Sequence, residues 1–291
     1  MVTLQNRIDF VVVFSVENAN PNGDPLADNR PRVTSDGRGE VSDVALKRKI
    51  RNRLQDKGER IFVQSSDRTD DGAHSLSDRM QMFSETLDKD EQSQKDVIAR
   101  KACERWFDVR AFGQVFAYKK TQKKGKNVGA DSVSLGIRGP VSIQPAFSLD
   151  GISIDDVQIT KSVNSETTKN DVKSSDTMGM KYRVSGRAIY VTRGSISPQL
   201  AERTGFSDED AEKVKEALLT LFENDESAAR PAGSMEVLKV VWFKHDSKGG
   251  QFSTAKVHRS VTVDADADSE RLIRINKEEI PGLQYEVLTG R

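Results

Sequence analysis

The chain has 291 residues, one cysteine and no net formal charge, because 45 Lys and Arg residues balance 45 Asp and Glu residues. Its longest apolar runs, at 10–14 and 240–243, are far too short to span a bilayer, and the start shows no signal peptide. A single cysteine excludes an internal disulfide framework and fits a reducing cytoplasm. We expect one domain with large insertions and no membrane partner.

The charges are unevenly distributed along the chain. Residues 110–140 carry seven basic residues and one acid, whereas residues 202–226 carry nine acids and three bases. Such segments suit a protein that binds a polyanion on one face and meets further copies of itself with another. Ordinary solvated faces explain the charges equally well.

Apolar β-branched and aromatic residues at 7–17 predict a buried strand, followed by a turn-rich stretch. Ser42 is a typical N-cap for a helix at 43–57, which Gly58 ends. Residues 60–65 read as a second strand, and residues 75–107 as a charged helical insertion. The Gly- and Lys-rich segment 121–131 predicts a loop.

Strand patterns return at 132–163 and 178–193, on either side of the polar stretch 164–177, which is typical of a long β-hairpin. Ser207 caps a second helix, 235–245 is another core strand, and two or three short strands finish the chain. This order predicts an α+β fold with a ferredoxin-like, RRM-like core. We expect insertions at about 66–110 and 160–180.

The first helix is the most informative element. Leu46, Ile50 and Leu54 form a narrow apolar stripe at helical spacing. Five basic residues without an acid among them flank it, and the ones proposed to contact a phosphate backbone are Lys47, Arg48 and Arg51. A plain solvated face is the alternative.

Two loops supply further candidates. In the NPNGDP loop, Asn20, Asn22 and Gly23 set an unusual backbone path whose amides are suited to receive a phosphate, while Asp24 is a turn residue or a metal ligand. Arg138 lies between two glycines that mark a bend or a close backbone approach, and is placed to reach a nucleic acid.

Apolar and basic residues follow the polar stretch of the predicted hairpin. Met178, Gly179 and Met180 suggest a wedge between bases of a single strand, with Lys181 and Arg183 beside it for phosphates and Tyr182 to stack or pack. Core filling by the methionines is an equal alternative. The three histidines are far apart in sequence, and no zinc or P-loop motif is present, so we expect no metal and no cofactor.

An ordered set of motifs, ENANPNGDP, DVALKRKIR, FGQVFA, IRGPVSIQPAFS and TMGMKYRVSGRAIY, covers most of residues 8–195. In this set the chain resembles the backbone subunit of type I CRISPR-associated Cascade complexes, in the type I-C or I-B branch of the RAMP superfamily.

The resemblance implies a right-hand-like subunit without catalytic activity. Its RRM-like palm is expected at 1–65 and 111–291, its helical fingers at 66–110 and its thumb hairpin at 160–180. Copies would coat a guide RNA (crRNA) as a helical filament that serves antiviral defence by guide pairing with target DNA. Further partners would be the subunit that caps the guide 5′ end, the large subunit and the small subunit of Cascade. Each thumb would displace one base at a regular interval.

The competing hypothesis is a metal-dependent endoribonuclease that uses Asp24. Related type III backbone subunits carry a loop aspartate that cleaves target RNA. The surroundings of Asp24 follow the type I pattern. No histidine lies near a basic cluster, and no paired carboxylates lie beside that loop, which favours the non-catalytic protein.

Overall fold

The structure is a computed structural model that describes residues 2–119, 132–160, 177–265 and 271–291. The predicted loop at 121–131 and most of the predicted hairpin tip lie outside the described residues. Among those that are described, no helix is both long and apolar enough to cross a membrane.

The described residues form fifteen strands and seven α-helices. In chain order the strands are β1 (Ile8–Glu17), β2 (Gly23–Asp24), β3 (Arg30–Pro31), β4 (Arg38–Val41), β5 (Gly113–Lys119), β6 (Ser132–Arg138), β7 (Val141–Ile143), β8 (Ala146–Gly151), β9 (Ile154–Thr160), β10 (Thr177–Val184), β11 (Arg187–Ile196), β12 (Met235–Lys244), β13 (Val261–Val263), β14 (Ile273–Ile275) and β15 (Gln284–Thr289). The α-helices are α1 (Asp43–Asp56), α2 (Leu76–Glu85), α3 (Lys95–Arg105), α4 (Phe107–Phe112), α5 (Pro198–Thr204), α6 (Asp208–Leu219) and α7 (Thr254–Arg259).

One seven-stranded sheet organises the fold. Its order is β15-β12-β1-β11-β8-β4, with β7 also paired to β11, and its pairings are antiparallel. Strand β1 lies near the centre because its residues are apolar on both faces, and nine of its ten residues are buried. The predicted α+β fold is confirmed, while the finer RRM-like assignment stays a prediction.

The sheet separates two apolar cores. The helix-side core joins Phe10, Val12 and Phe14 to the stripe of α1 and to Val214 and Leu218 of α6. The far-side core joins the alternate residues Val11 and Val13 to α7 and the β13–β14 hairpin. The alternation follows from the two-residue repeat of side-chain direction along a strand.

A third apolar cluster lies in the segment predicted as an insertion. It joins Phe83 of α2, Ala102 of α3 and Trp106 to Phe62, and Phe116 and Leu135 of the β5–β6 hairpin complete it. Cys103 is buried there, and burial raises the pKa of its thiol to about 11. The boundaries of palm, fingers and thumb remain predictions.

The predicted strand at 60–65 is wrong. Ile61 and Phe62 are buried, as their apolar character suggested, but the segment runs as a loop. The amides of Phe62 and Val63 donate to the Asp108 carboxylate at 2.7 and 3.0 Å instead of to a neighbouring strand. A side chain therefore supplies the acceptors that a sheet partner would have supplied.

Candidate nucleic-acid interface

Helix α1 begins and ends as the sequence predicts. The Ser42 hydroxyl accepts from the Ala45 amide at 3.2 Å, and Gly58 takes a positive φ of 86° just after the helix. Leu46, Ile50 and Leu54 are fully buried in the helix-side core. The predicted apolar stripe is thereby confirmed.

The flank of α1 that carries Lys49 and Arg53 faces protein. Lys49 forms an ion pair with Asp225, which Arg230 also contacts at 2.9 Å. Burial lowers the pKa of Lys49, against the opposing effect of the Asp225 charge. Arg53 donates to Thr220 and pairs with Asp56 and Glu223. These two cations hold α1 against the end of α6 and the loop that follows.

The three basic residues predicted to contact RNA also have partners. Arg51 donates through Nε to Asp108 at 2.9 Å, lies over the Phe112 ring and keeps 12% of its side chain exposed. Arg48 donates to the Val63 carbonyl at 2.6 Å, and burial together with the charge of Arg51 lowers its pKa. Lys47 pairs with Asp43 at 3.0 Å, one helical turn away.

These partners change the expectation of an unpaired basic arc. Arg51 has an acid from α4, Lys47 has one on α1 itself, and Arg48 donates to a backbone carbonyl. Lys47 and Arg48 are partly exposed and remain candidates for phosphate contact. Arg51 is mostly committed to the buried carboxylate of Asp108, which is 1% exposed. Its release would leave that carboxylate without its charge partner.

The NPNGDP loop is fixed at both ends of its predicted binding segment. Asn20 is buried and donates to the Asn29 carbonyl at 2.6 Å. Asn22 accepts from the Ser42 amide at 2.9 Å, which ties the loop to the start of α1. At Gly23 any Cβ would lie 2.9 Å from the Asn29 carbonyl oxygen, so the β2–β3 turn requires glycine.

Asp24 behaves as a turn residue. Its carboxylate accepts from the Leu26 amide at 3.1 Å, where it caps the 3-10 turn Pro25–Ala27, and it lies 3.6 Å from Arg32. Within the described ranges no group of three or more His, Cys, Asp or Glu side chains is arranged for a metal ion. The geometry at Asp24 gives no support to the nuclease hypothesis.

Strands β9 and β10 pair as an antiparallel hairpin, as expected from the sequence. Gly179 has a φ of 150° at a register shift, and Met180 is 47% exposed. The side chain of Met178 lies outside the described part. Strand alternation places Met180 and Tyr182 on one face and Lys181 and Arg183 on the other, so the basic pair does not lie beside Met180.

Arg30 joins the NPNGDP loop to this hairpin. Its guanidinium donates to Asp156 of β9 at 2.7 Å and lies 4.2 Å from the ring centroid of Tyr182 of β10. Arg183 pairs across the hairpin with Asp155 at 3.3 Å. Loop, α1 and hairpin are thus linked in one continuous path of contacts, from Ser42 through Asn22 to Tyr182.

Arg138 is exposed at the end of β6. It takes no part in the contacts that link the loop, α1 and the β9–β10 hairpin. The adjacent Gly139 fits the predicted close approach, because a Cβ there would lie 2.4 Å from the Ala111 carbonyl oxygen. Gly136 has open space around its Cβ position, so only the second glycine is required by packing.

The histidines are far apart in the sequence, and two of them, His245 and His258, are buried at different contacts. The buried His245 contacts Asp9 at 2.8 Å and accepts from the Gln251 amide at 2.9 Å, which assigns the proton to its Nε2. His258 contacts the Gly194 carbonyl at 3.0 Å. Burial would raise the pKa of Asp9, but His245 and Arg7 outweigh it and lower that pKa.

Sequence reasoning missed Arg30 and Asp108. The only available signal for Arg30 was its position in a turn-rich stretch, and its partner Asp156 lies 126 residues away. Asp108 sits among apolar residues in WFDVRAF, where a lone acid in a buried pattern signals a structural acceptor. Neither signal identifies the partner.

Three comparisons with known proteins agree with one another. Residues 6–281 match the sequence profile of the family "CRISPR-associated protein Cas7". A curated protein of Haloferax volcanii, described as CRISPR-associated protein Cas7, is 28% identical over 225 residues, which are 73% of this chain and 63% of the relative. The chain therefore spans less than two thirds of that relative's length.

One solved structure has a similar fold, and a second aligns less well. A chain from a CRISPR RNA-guided surveillance complex aligns with a TM-score of 0.50 at 16% identity, covering 97% of this chain and 88% of the other. A chain from a pre-nicking surveillance complex aligns with a TM-score of 0.47 at 13% identity, covering 91% and 85%. Because the family profile matches nearly the whole length, the chain belongs to the Cas7 family of CRISPR-associated proteins.

Proposed function

We propose that this chain is a non-catalytic, cytoplasmic subunit that binds a CRISPR guide RNA and forms the helical backbone of a type I Cascade complex. Copies oligomerise along the RNA, join the 5′-cap, large and small subunits, and leave the guide ordered for pairing with target DNA. Membership of the Cas7 family supports the class of function. The type I-C assignment rests on the sequence motifs alone.

The choice of surface depends on the contacts that link the NPNGDP loop to α1 and to the β9–β10 hairpin. The Asn22 side chain links the NPNGDP loop to the start of α1, and Arg30 links the same loop to β9 and β10. The loop, α1 and the hairpin, which were separate candidates in the sequence, therefore lie next to one another. We place the RNA backbone along Asn20, Asn22, Gly23, Lys47 and Arg48, and the displaced base at Met180 with Met178 and Gly179. Lys181 and Arg183, on the face of β10 opposite Met180, and Arg138, at the end of β6, are proposed to contact phosphates outside this path.

The paired substitution Lys47→Gln with Arg48→Gln tests the helix. Both side chains lie off the apolar stripe, so the fold should persist while co-purified guide RNA falls strongly and the salt dependence of binding becomes shallower. Arg203→Gln on α5, which is exposed, is the matched control. Full guide retention by the double variant would remove α1 from the interface.

A second experiment tests the hairpin through chemical probing of bound guide RNA. We expect nucleotides of altered reactivity at regular intervals, one for each subunit. Replacement of Met178 and Met180 by Gly should weaken this periodicity more than it weakens affinity, because phosphate contacts supply most of the binding. A uniform profile for the unaltered protein would contradict the wedge. Regular cleavage that requires Mg²⁺ would favour the Asp24 nuclease instead.

A further inference from the structure

Arg193 of β11 is half-buried but has no charge partner. In the part of the chain that the structure describes, no hydrogen bond or ion pair engages its guanidinium. Burial is the cause that lowers its pKa, and no carboxylate opposes this effect. A desolvated arginine without an anion is unfavourable, so such a position is suited to an external anion.

Two described acids on this side of the sheet, Asp9 and Glu40, form no ion pair with Arg193. Asp9, on β1, is bound to His245 and Arg7. Glu40 of β4 stands opposite Phe147 of β8, and β8 separates it from β11. His258 lies close enough to Arg193 for the two to interact electrostatically, and burial lowers the pKa of His258, so it supplies no negative charge.

Within the described residues, the strands beside Arg193 carry exposed or partly exposed side chains on this face of the sheet. Val141 and Ile143 of β7 face the helix-side core, so Ser142 and Gln144 point to the other side, where both are exposed. The far-side core covers β1, β12 and part of β11, and α7 and β13 supply the cover. Arg193 shares this face with Ile189 and Val191 by strand alternation.

Phe147 stands on the same face. It is directly opposite Val191 in the register, two residues from Arg193 along β11. Its ring is half-buried and belongs to none of the three apolar cores. A partly exposed aromatic ring near an unpaired arginine on a sheet surface matches the chemistry that binds single-stranded nucleic acid, a ring for the base and a guanidinium for the phosphate.

We propose that the partly exposed face formed by β7, β8 and β11 is a second contact surface for single-stranded nucleic acid, with Phe147 stacking on a base and Arg193 binding its phosphate. The surface is separate from the loop, α1 and the β9–β10 hairpin. This inference rests on the proposed function. The surface would give each copy a further contact with the guide RNA or with the target DNA that pairs with the guide.

Fluorescence anisotropy with a labelled single-stranded uridine oligonucleotide and its thymidine counterpart tests this surface on the full chain. Phe147→Leu should weaken binding about tenfold at unchanged salt dependence, since one stacking contact is lost. Arg193→Gln should weaken it about tenfold and reduce the salt slope by about one, since one phosphate contact is lost. Arg203→Gln is the charge-matched control and should bind within about twofold of the unaltered protein. Arg193→Lys, which retains the charge, should recover part of the affinity.

The outcomes separate this inference from the proposed function. Loss of binding in Lys47→Gln/Arg48→Gln but not in Phe147→Leu or Arg193→Gln would overturn the second surface and leave the first. The reverse result would support the second surface and remove α1. Unaltered binding together with weaker self-association in sedimentation would assign Arg193 to an acidic segment of another copy and overturn the proposal, as would an unaltered chain that binds neither oligonucleotide. Thermal melting of every variant checks that the fold is retained.

Discussion

Helix α1 and strand β10 are both basic in sequence, yet they use their charges differently. On α1, Arg51 and Lys49 pair with the buried or nearly buried acids Asp108 and Asp225. On β10, Arg183 pairs with Asp155 at a surface where both side chains are 38% exposed. The helix cations therefore hold the fold together, whereas the strand cation can exchange its partner for a phosphate at low cost.

The number of basic residues in a segment therefore does not measure its capacity to bind a polyanion. What matters is whether each cation has an acid partner and how deeply that partner is buried. Lys47, with a half-exposed partner, resembles Arg183 more than it resembles its helical neighbour Arg51.

The largest expected effect comes from Asp108→Ala. The substitution removes the acceptor for two backbone amides and leaves Arg51 unpaired in a buried setting, so the free energy of unfolding should fall by about 3–5 kcal/mol. Urea denaturation measures this loss. Asp155→Ala on the hairpin is the matched control, with an expected loss below about 1 kcal/mol. Equal losses for the two variants would contradict the distinction between helix and hairpin.

A smaller loss of stability is expected on acidification, because Asp56, at the end of α1, becomes protonated. Burial alone would raise the pKa of Asp56, but hydrogen bonds from Arg68, Asn224 and Arg53 outweigh it and lower that pKa. As the pH falls, the unfolded chain therefore takes up this proton first, and stability is lost from about pH 4 down through the native pKa. Asp56→Asn should have lower stability at neutral pH and a flatter dependence below about pH 5. If the free energy of unfolding of Asp56→Asn and of the unaltered protein fell in parallel with pH, Asp56 would make no contribution to the acid sensitivity.

The smallest effect is expected for the contact between loop and hairpin. In a double-mutant cycle with Arg30→Ala and Asp156→Ala, the coupling in the free energy of unfolding should be small, because both side chains are at least 40% exposed. It should vanish at high salt, where surface charges are screened. A large coupling that persists at high salt would mean that the hairpin is held as firmly as α1.

Periodic patterns in the sequence predicted most helices and strands. The partners of the charged residues could not be predicted from the sequence. The stripe of Leu46, Ile50 and Leu54 was readable because helical spacing is local. The acid that binds Arg51 is 57 residues away and the one that binds Lys49 is 176 residues away. No local pattern encodes such pairings, so the predicted basic arc was right in composition and incomplete in its contacts.

The false strand at 60–65 has a related cause. Ile61 and Phe62 have the apolar, β-branched and aromatic character of a strand, and they are buried as a strand would be. Burial requires only that the amides find hydrogen-bond acceptors. The Asp108 carboxylate of α4 accepts from the amides of Phe62 and Val63. The hairpin was easier to predict, because β9 and β10 are close in sequence and both carry strand patterns.

The central position of β1 has a consequence for biosynthesis. Its two partners, β11 and β12, begin at residues 187 and 235, so the strand emerges from the ribosome long before either one exists. At ordinary elongation rates it waits on the order of ten to forty seconds as an unpaired apolar segment. IDFVVVFSVE has the high β-propensity and low charge of aggregation-prone segments. Production of this protein should therefore depend on chaperones that shield nascent chains.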